Sequence, residues 1–468
     1  MPKASPSSPI SSNDDQLLPS VSTVEMDSIQ YRTYPLRWVI LLTLFLLNMS
    51  SSILWTTYTS VSALSAEYFE VSDTAISMLA MVFYIGFVIM SLPSGWVIDH
   101  VGIKTGLIIG SVLNIAGAWL RYVAVISDMA PSSQYAMTMA SQCIAALGQP
   151  FFLNAPTKFA ASWFTDRGRG TANTIATLSN PIGIAVGQLI VPALAPTSED
   201  FPTMLLVTAV IATASCIPLP LISSMPPSPP QIEVLESTYS NNRLSRGLRH
   251  LLPGLEIAIR SPGFLALWFV FSSCVGTFSA LTSLLNNILT PYGYSADISG
   301  IFGAVIIVGG LIGAAALAIL IDRVPRHILI LRVITPISAA SFIGFIFAVK
   351  PDATIGLGIV SFLIGISTFS LLPIGLELGV ECTYPAPEGT VSSLLWMGGQ
   401  AFSAIYQVIM NALRWGPDKN PPGGMRDAII FSAVVISVSA LVACFGFHGS
   451  LRRRAAEKEL SLSHSGVS

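Results

Sequence analysis

Long apolar runs, each followed by a short polar segment, recur along the chain from residue 36 onward. A helix needs about 20 mostly apolar residues to cross the hydrocarbon core of a bilayer. Numbered one to twelve in chain order, these runs predict an all-α membrane protein with twelve transmembrane spans. They occupy residues 36–64, 74–98, 105–126, 134–158, 171–194, 201–223, 263–289, 298–321, 328–349, 354–380, 389–413 and 426–447.

The composition agrees with a chain whose surface faces lipid. Of its 468 residues, 52% are hydrophobic and only 10% are charged. A soluble globular chain carries about 25% charged residues, and a soluble core stops growing as chains lengthen. The net charge of −2 gives no basic surface for nucleic acid. We therefore expect the lipid bilayer and a small-molecule solute as partners, no nucleic acid, and a monomer.

Polar stretches divide the chain into two six-span halves, residues 34–224 and 263–448. Residues 1–33 are rich in Ser and Pro and lack an apolar run, which predicts a disordered N-terminal tail. A second tail occupies residues 449–468. The linker, residues 225–262, carries Arg243, Arg246 and Arg249 among leucines. It forms either a short amphipathic helix on the membrane surface or a solvated basic loop.

The distribution of Lys and Arg predicts the orientation. If both termini are cytoplasmic, 18 of the 23 basic residues fall on the cytoplasmic side. Lys and Arg bias toward the cytoplasm sets the topology of short loops. We expect both tails and the linker in the cytoplasm, with the plasma membrane as the default location and an internal membrane as the alternative. The five remaining basic residues lie on the opposite side: Arg121, Lys350, Arg414, Lys419 and Arg426.

The two halves repeat one another. Gly170-Thr171 opens span five and Gly389-Thr390 opens span eleven, while Asp99 closes span two and Asp322 closes span eight. Parallel six-helix repeats with a site between them are the architecture of major facilitator transporters. The pattern therefore predicts a major facilitator fold with two pseudo-symmetric halves.

The loop after span two resembles the major facilitator signature G-x-x-x-D-x-x-G-x-K/R. It contains Gly95, Asp99, Gly102 and Lys104, with His100 where the family usually has a basic residue. Gly95 permits close helix approach, and Gly102 permits a tight turn. We expect Asp99 to lie near the positive N-terminus of span eleven, and Lys104 to pair with acids of the other half. These residues would hold a cytoplasmic gate shut.

A second set of charges also fits a gate on the cytoplasmic side. Arg167 and Arg169 open span five, while Glu377, Glu381 and Glu388 lie around spans ten and eleven. Ion pairs between the halves would form only when that side is closed. The alternative is that these charges are unpaired at the interface.

Several segments resemble solute carrier family 49, which includes the feline leukaemia virus subgroup C receptor-related transporters. They are residues 34–66, 149–164 and 171–181, and above all the string Glu381-Cys-Thr-Tyr384-Pro385-x-x-Glu388. The resemblance covers residues 34–448 and is greatest to the less characterised third branch of the family. It implies a multi-pass carrier that works by alternating access.

Polar residues near the middle of long spans are the candidates for contact with a solute. No acid or base lies there by sequence, which favours a neutral or cationic solute. Gln400 lies roughly 18 Å into span eleven at about 1.5 Å per residue, and Trp55 and Gln149 are similarly deep. Asn154, Asn286 and Tyr58 complete the predicted substrate-binding set. The alternative for each is a packing role or an interhelical hydrogen bond.

The family resemblance adds a possible substrate. Its choline carriers have a tryptophan in span one and glutamines in spans four and eleven, which match Trp55, Gln149 and Gln400. Their span-seven tyrosine matches Ser279 here, and Leu54 replaces a span-one glutamine. The resemblance therefore implies a polar or cationic amine rather than choline in particular.

Three functions remain open on the sequence. The first is a facilitative or weakly coupled carrier of a small organic solute. The second is a proton-coupled exporter, in which Glu377, Glu381 or Asp99 titrates during the cycle. The third is a non-transporting receptor or scaffold. We expect no enzyme, cofactor or metal site, because the sequence shows no nucleophile set, metal-ligand cluster or phosphate loop.

Overall fold

The computed structural model describes residues 33–226, 255–323, 327–383, 386 and 388–447. Both predicted tails and residues 227–254 of the linker lie outside the described residues, except for Thr33. All of the predicted spans are helical. The predicted fold, an all-α bundle of the major facilitator type, is confirmed.

The first half begins with a broken helix. Span one ends its long segment at Ser60, where Val61 leaves helical geometry, and resumes as a short helix. Span two is capped by Ser72, whose Oγ accepts from Ala75 N at 3.3 Å. Span four is interrupted at Asn154. The helices of this half are Leu36–Ser60 and Ser62–Phe69, Asp73–His100, Ile103–Ile126, Pro131–Leu153 and Ala155–Trp163, Asp166–Leu194, and Phe201–Ala214.

The second half has simpler helices. Ser261 caps span seven by accepting from Phe264 N at 3.4 Å. Span twelve ends in a π-helical turn, Val442–Gly446. Spans seven to twelve are Pro262–Leu289, Ala296–Arg323, His327–Ala348, Thr354–Thr383, Glu388–Ala412 and Arg426–Leu441.

Ten of the helices in the described part of the chain are long and apolar enough to cross a membrane. The two remaining spans, four and eleven, are helical at the predicted positions but more polar. Gln149 in span four and Gln400 in span eleven line an internal cavity. These two spans therefore carry amides toward the protein interior, where lipid does not reach.

Helix packing reproduces the predicted pseudo-symmetry. In the first half, span one packs on span five, span three packs on span four, and span two packs on span four. In the second half the same pairs recur six spans later, as seven on eleven, nine on ten, and eight on ten. The halves meet mainly along spans two and eleven and along spans five and eight.

The bundle has two ends, called the tail side and the far side. The tail side carries residues 33–36, 222–226 and 447, and the far side carries residues 127–130, 290–295 and 413–425. Between them, large apolar side chains cover the outer surface, including Ile89, Val112 and Ile359. Such side chains suit lipid, while the helices satisfy their own backbone hydrogen bonds.

Candidate functional site

A cavity of about 740 Å³, partly open to solvent, lies between the halves. Seventeen residues from spans one, two, four, five, seven, ten and eleven line it. None of these lining residues carries a charge. Ligand sites of this kind are mostly apolar and use a few placed polar groups for orientation.

The structure brings three of the predicted substrate-binding residues together. Trp55, Gln149 and Gln400 line this one cavity although they come from spans one, four and eleven. Their side chains are buried from bulk water. Their proposed contact with a solute stays a prediction, since the structure contains no ligand.

Aromatic rings form much of the cavity wall. The rings of Trp55 and Tyr84 lie 5.7 Å apart, centroid to centroid, with an angle of 61° between their planes. On the side of the second half, Phe278 and Phe369 lie 4.9 Å apart, and Trp396 adds a further ring. A cation placed against such faces is attracted by the ring quadrupole.

Polar contacts behind the wall position another lining residue. Asn180 of span five lines the cavity, and its Nδ2 donates to Asn48 Oδ1 of span one at 3.3 Å. Asn48 Nδ2 in turn donates to the Ala176 carbonyl at 3.4 Å. This chain orients the Asn180 amide, because each buried polar group needs a partner.

Three other predicted substrate-binding residues do not line the cavity. Tyr58 is completely buried in the first half, with its ring 6.1 Å from those of Phe69 and Phe201. Asn154 donates to Ser94 Oγ at 3.0 Å at the break in span four. Asn286 donates to Ser62 Oγ at 3.0 Å. In this structure each of these side chains is turned into a helix contact, and its contact with a solute stays a prediction.

The structure buries Arg121, which the charge count assigned to the side opposite the tails. This residue of span three has no exposed surface. Its guanidinium donates to the Leu54 carbonyl at 3.3 Å and to Thr208 Oγ1 at 2.7 Å. It also lies 5.7 Å from the centre of the Tyr58 ring. Because its side chain turns inward, Arg121 links spans one, three and six instead of facing solvent.

The far side is closed by contacts between the halves. Arg414 Nη1 lies 2.6 Å from Asp73 Oδ2, and Gln407 Nε2 donates to the Ser77 carbonyl at 2.8 Å. Ser62 is another contact point. It accepts from Asn286 and donates to Asn287 of span seven.

A further far-side contact is built on close helix approach. Gln188 Nε2 of span five donates to the Thr282 carbonyl of span seven at 3.3 Å. The same residue packs against Gly300 and Gly303 of span eight, where a Cβ on Gly300 would clash with the Gln188 carbonyl oxygen. Small residues of this kind let two membrane helices approach closely.

On the tail side the signature loop has the expected turn. Gly102 has a φ of +120°, a conformation that favours glycine. A Cβ built on Gly95 would lie 3.9 Å from Ser393 Oγ, so span two approaches the start of span eleven there. We expected Lys104 to pair with acids of the other half, but its described contact lies within the first half. Its Nζ donates to the Pro220 carbonyl at 3.3 Å, within the first half.

The predicted charge pairs of the tail-side gate fall largely beyond what the structure describes. Glu381 is buried in span ten. The remaining side chains of this gate lie outside the described residues: Asp99, Arg167, Arg169, Glu377 and Glu388.

The predicted substrate-binding set contained three of the seventeen lining residues and missed, among others, Tyr84 and Asn180. Tyr84 lies in an otherwise apolar run, and a single tyrosine in such a run does not indicate which face of the helix it occupies. Asn180 precedes Pro181 in span five, and its pairing with Asn48 was a detectable signal, since two polar residues inside apolar spans need partners.

An all-α bundle whose pseudo-symmetric halves enclose an uncharged polar and aromatic cavity is the architecture of a membrane transporter for small solutes. Comparisons with known proteins agree. Residues 40–407 match the Major Facilitator Superfamily. The chain is 31% identical over 441 residues to solute carrier family 49 member A3 of Danio rerio, covering 92% of this chain and 91% of that protein.

A more distant relative is the choline/ethanolamine transporter FLVCR2 of Homo sapiens, 26% identical, with 90% of this chain and 79% of that protein covered. The chain belongs to the major facilitator superfamily and, within it, to solute carrier family 49.

Solved structures show the same fold at low sequence identity. The D-xylose-proton symporter has a TM-score of 0.64 at 13% identity, covering 88% of this chain and 97% of that one. A bacterial homolog of the human lysosomal transporter Spinster, in an inward-facing and occupied conformation, has a TM-score of 0.63 at 15% identity, covering 90% and 99%.

Proposed function

We propose that this protein carries a small organic solute, polar or cationic and amine-like, by alternating access without strong ion coupling. The observation that carries the proposal is the cavity wall, in which two glutamines and no charge accompany five aromatic residues: Trp55, Tyr84, Phe278, Phe369 and Trp396. Ring faces attract an organic cation, and the amides offer donors and acceptors.

The uncharged wall restricts the class of solute. Moving an ion with localised charge out of water costs far more than moving a neutral polar group, unless a counter-charge is present. A phosphate or dicarboxylate would meet no cation among the lining residues. A neutral polar solute, or an ammonium with its charge against an aromatic ring, fits this wall better.

The relatives support an amine. Choline/ethanolamine transporters of Felis catus and Homo sapiens are 27% and 26% identical to this chain. Trp55, Gln149 and Gln400 match the tryptophan and glutamines that the family resemblance implies for choline carriers. Ser279 departs from that pattern, so ethanolamine, choline and other small amines all belong in the test.

The direction of access follows from the contacts between the halves. The hydrogen bonds and the ion pair described above join the halves toward the far side and around the cavity. On the tail side, the described contact is the approach of Gly95 to Ser393. With both termini in the cytoplasm, this is a state closed to the exterior. Transport then requires the far-side contacts to break. We place the protein in the plasma membrane as a monomer.

One observation supports the second candidate, proton-coupled export. Glu381 is a buried carboxylate in span ten, on the tail side of the cavity residue Leu372. Ionisable residues inside membrane spans often belong to the proton relays of transporters. A pH gradient across the membrane would then drive net transport.

The deciding experiment uses the purified full-length protein in liposomes. Labelled choline, ethanolamine and a panel of neutral polar metabolites are tested, with and without a pH gradient. The proposal expects uptake of at least one amine that is saturable and independent of the gradient. Dependence on the gradient favours the exporter. Movement of no solute in the panel supports a receptor or scaffold and contradicts the proposal.

A further inference from the structure

Tyr84 belongs both to the cavity and to the closure between the halves. It lies in span two, is almost completely buried, and lines the cavity beside Trp55. Its hydroxyl donates to the Ser279 carbonyl of span seven at 3.1 Å. One side chain of the first half thus touches the solute space and is bonded to the second half.

Ser279 accepts this bond with its backbone carbonyl and also lines the cavity. A hydroxyl that is buried without a partner destabilises the arrangement that buries it. The Tyr84 hydroxyl therefore favours the arrangement in which the halves are together at this level.

The ring of Tyr84 has a separate role. Together with Trp55 it forms an aromatic corner in the first half, with ring centroids 5.7 Å apart. An organic cation placed against this corner contacts the same ring whose hydroxyl holds span seven. A solute that shifts the ring changes the geometry of the hydrogen bond to Ser279.

We propose that Tyr84 has two roles, one in specificity and one as a latch between the halves. Its ring is the second aromatic wall for an ammonium group. Its hydroxyl, bonded to Ser279, connects occupancy of the cavity to closure of the far side. The cation half of this inference rests on the proposed function. The latch half rests only on the contact with Ser279.

The test separates the ring from the hydroxyl. Tyr84→Phe keeps the ring and removes the donor, whereas Tyr84→Ala removes both. Ser279→Ala is the matched control, because the acceptor is a backbone carbonyl that this change leaves in place. All three are made in the full-length chain and compared with the parent.

Two readouts are needed. The first is equilibrium binding of tetramethylammonium, measured by displacement of labelled choline from purified protein. The second is far-side closure, measured by the yield of disulfide cross-linking between Ser62→Cys and Asn287→Cys, whose native side chains are in contact across the halves. Monodisperse elution in detergent shows that each variant is folded.

We expect Tyr84→Phe to bind the probe within about threefold of the parent but to form the cross-link about fivefold less readily, the loss of one net hydrogen bond. Tyr84→Ala should bind at least about tenfold more weakly, as the loss of a desolvated cation–π contact implies. Ser279→Ala should cross-link like the parent.

If Tyr84→Phe forms the cross-link as readily as the parent, the latch is refuted. If Tyr84→Ala binds tetramethylammonium as tightly as the parent, the cation wall is refuted. A parent that binds no ammonium probe refutes the cation half, while the cross-linking result still decides the latch. A parent that binds the ammonium probe but transports nothing contradicts the proposed function alone.

Discussion

Arg414 Nη1 and Asp73 Oδ2 lie 2.6 Å apart at the far side and form an ion pair that joins the second half of the bundle to the first. The partners are 341 residues apart in sequence. Their side chains are 31% and 29% exposed. The pair therefore closes the far side while both charges keep partial contact with water, which lets it form and break as the halves move.

We predict that this ion pair biases the far side toward closure by a small amount. Exposed pairs contribute about 0–1 kcal/mol, so Asp73→Asn or Arg414→Gln should lower far-side cross-linking by at most about fivefold. High salt should reduce the difference from the parent, because ions screen exposed charges. The Ser62/Asn287 cysteine pair serves as the reporter.

The charge-exchanged variant, Asp73→Arg with Arg414→Asp, should recover part of the loss. Lys419→Gln is the control, because Lys419 pairs with Asp427 inside the second half at 3.7 Å. If Lys419→Gln reduces cross-linking as much as Arg414→Gln does, the effect is one of general surface charge and the prediction fails.

Gly300→Ala should hold the far side open. A Cβ there would clash with the Gln188 backbone oxygen, and a helix backbone cannot move aside as a flexible side chain does. We expect transport to fall by at least about tenfold while the protein remains folded, since the alternative state separates spans five and eight. Labelling of introduced far-side cysteines by an impermeant reagent should increase.

Gly344→Ala is the matched control for this glycine. Its added Cβ would make only ordinary contacts, 3.7 Å from the Val360 methyls, within the second half. It should transport normally. Equal losses in the two variants would show that the chain tolerates alanine poorly at helix glycines in general.

Trp55→Ala and Gln400→Ala should each abolish transport without loss of surface expression. Both side chains line the cavity, and their removal takes away a ring face and an amide that a solute would contact. Trp119→Ala is the control, since Trp119 faces outward and hydrogen-bonds to Thr213 in its own half. The measurement is initial uptake in liposomes, and normal uptake by Trp55→Ala would place the site elsewhere.

Arg121 leads to a prediction about stability. Arg121→Lys keeps a buried charge but loses the planar fork whose two nitrogens donate to Leu54 and Thr208, so it should destabilise the protein by about 1–3 kcal/mol. Arg121→Met removes the charge at similar volume, and Thr208 keeps its bond to the Leu205 carbonyl at 2.9 Å. Replacing a buried charge by an apolar group is often tolerated.

Thermal unfolding of the purified variants checks this order, with Arg121→Met expected to unfold at a higher temperature than Arg121→Lys. The opposite order would show that the charge itself stabilises the bundle, and that an unidentified anionic partner balances it.

The number of spans, their division into halves and the turn at Gly102 followed from the sequence alone. The bilayer sets the length of each apolar run, and a chain that needs a positive φ uses glycine. Trp55, Gln149 and Gln400 were also identified, because a large polar or amphipathic residue deep in a long span needs a partner inside the protein.

Only the tertiary structure decided which way each side chain points. A buried membrane helix is apolar all round, so its sequence does not reveal which face meets lipid, a neighbour or the cavity. For this reason Tyr58 and Asn286 turned out to pack between helices, and Tyr84 to line the cavity. Arg121, five residues before the end of its helix, turned inward because a carbonyl, a hydroxyl and a ring lie there to receive it.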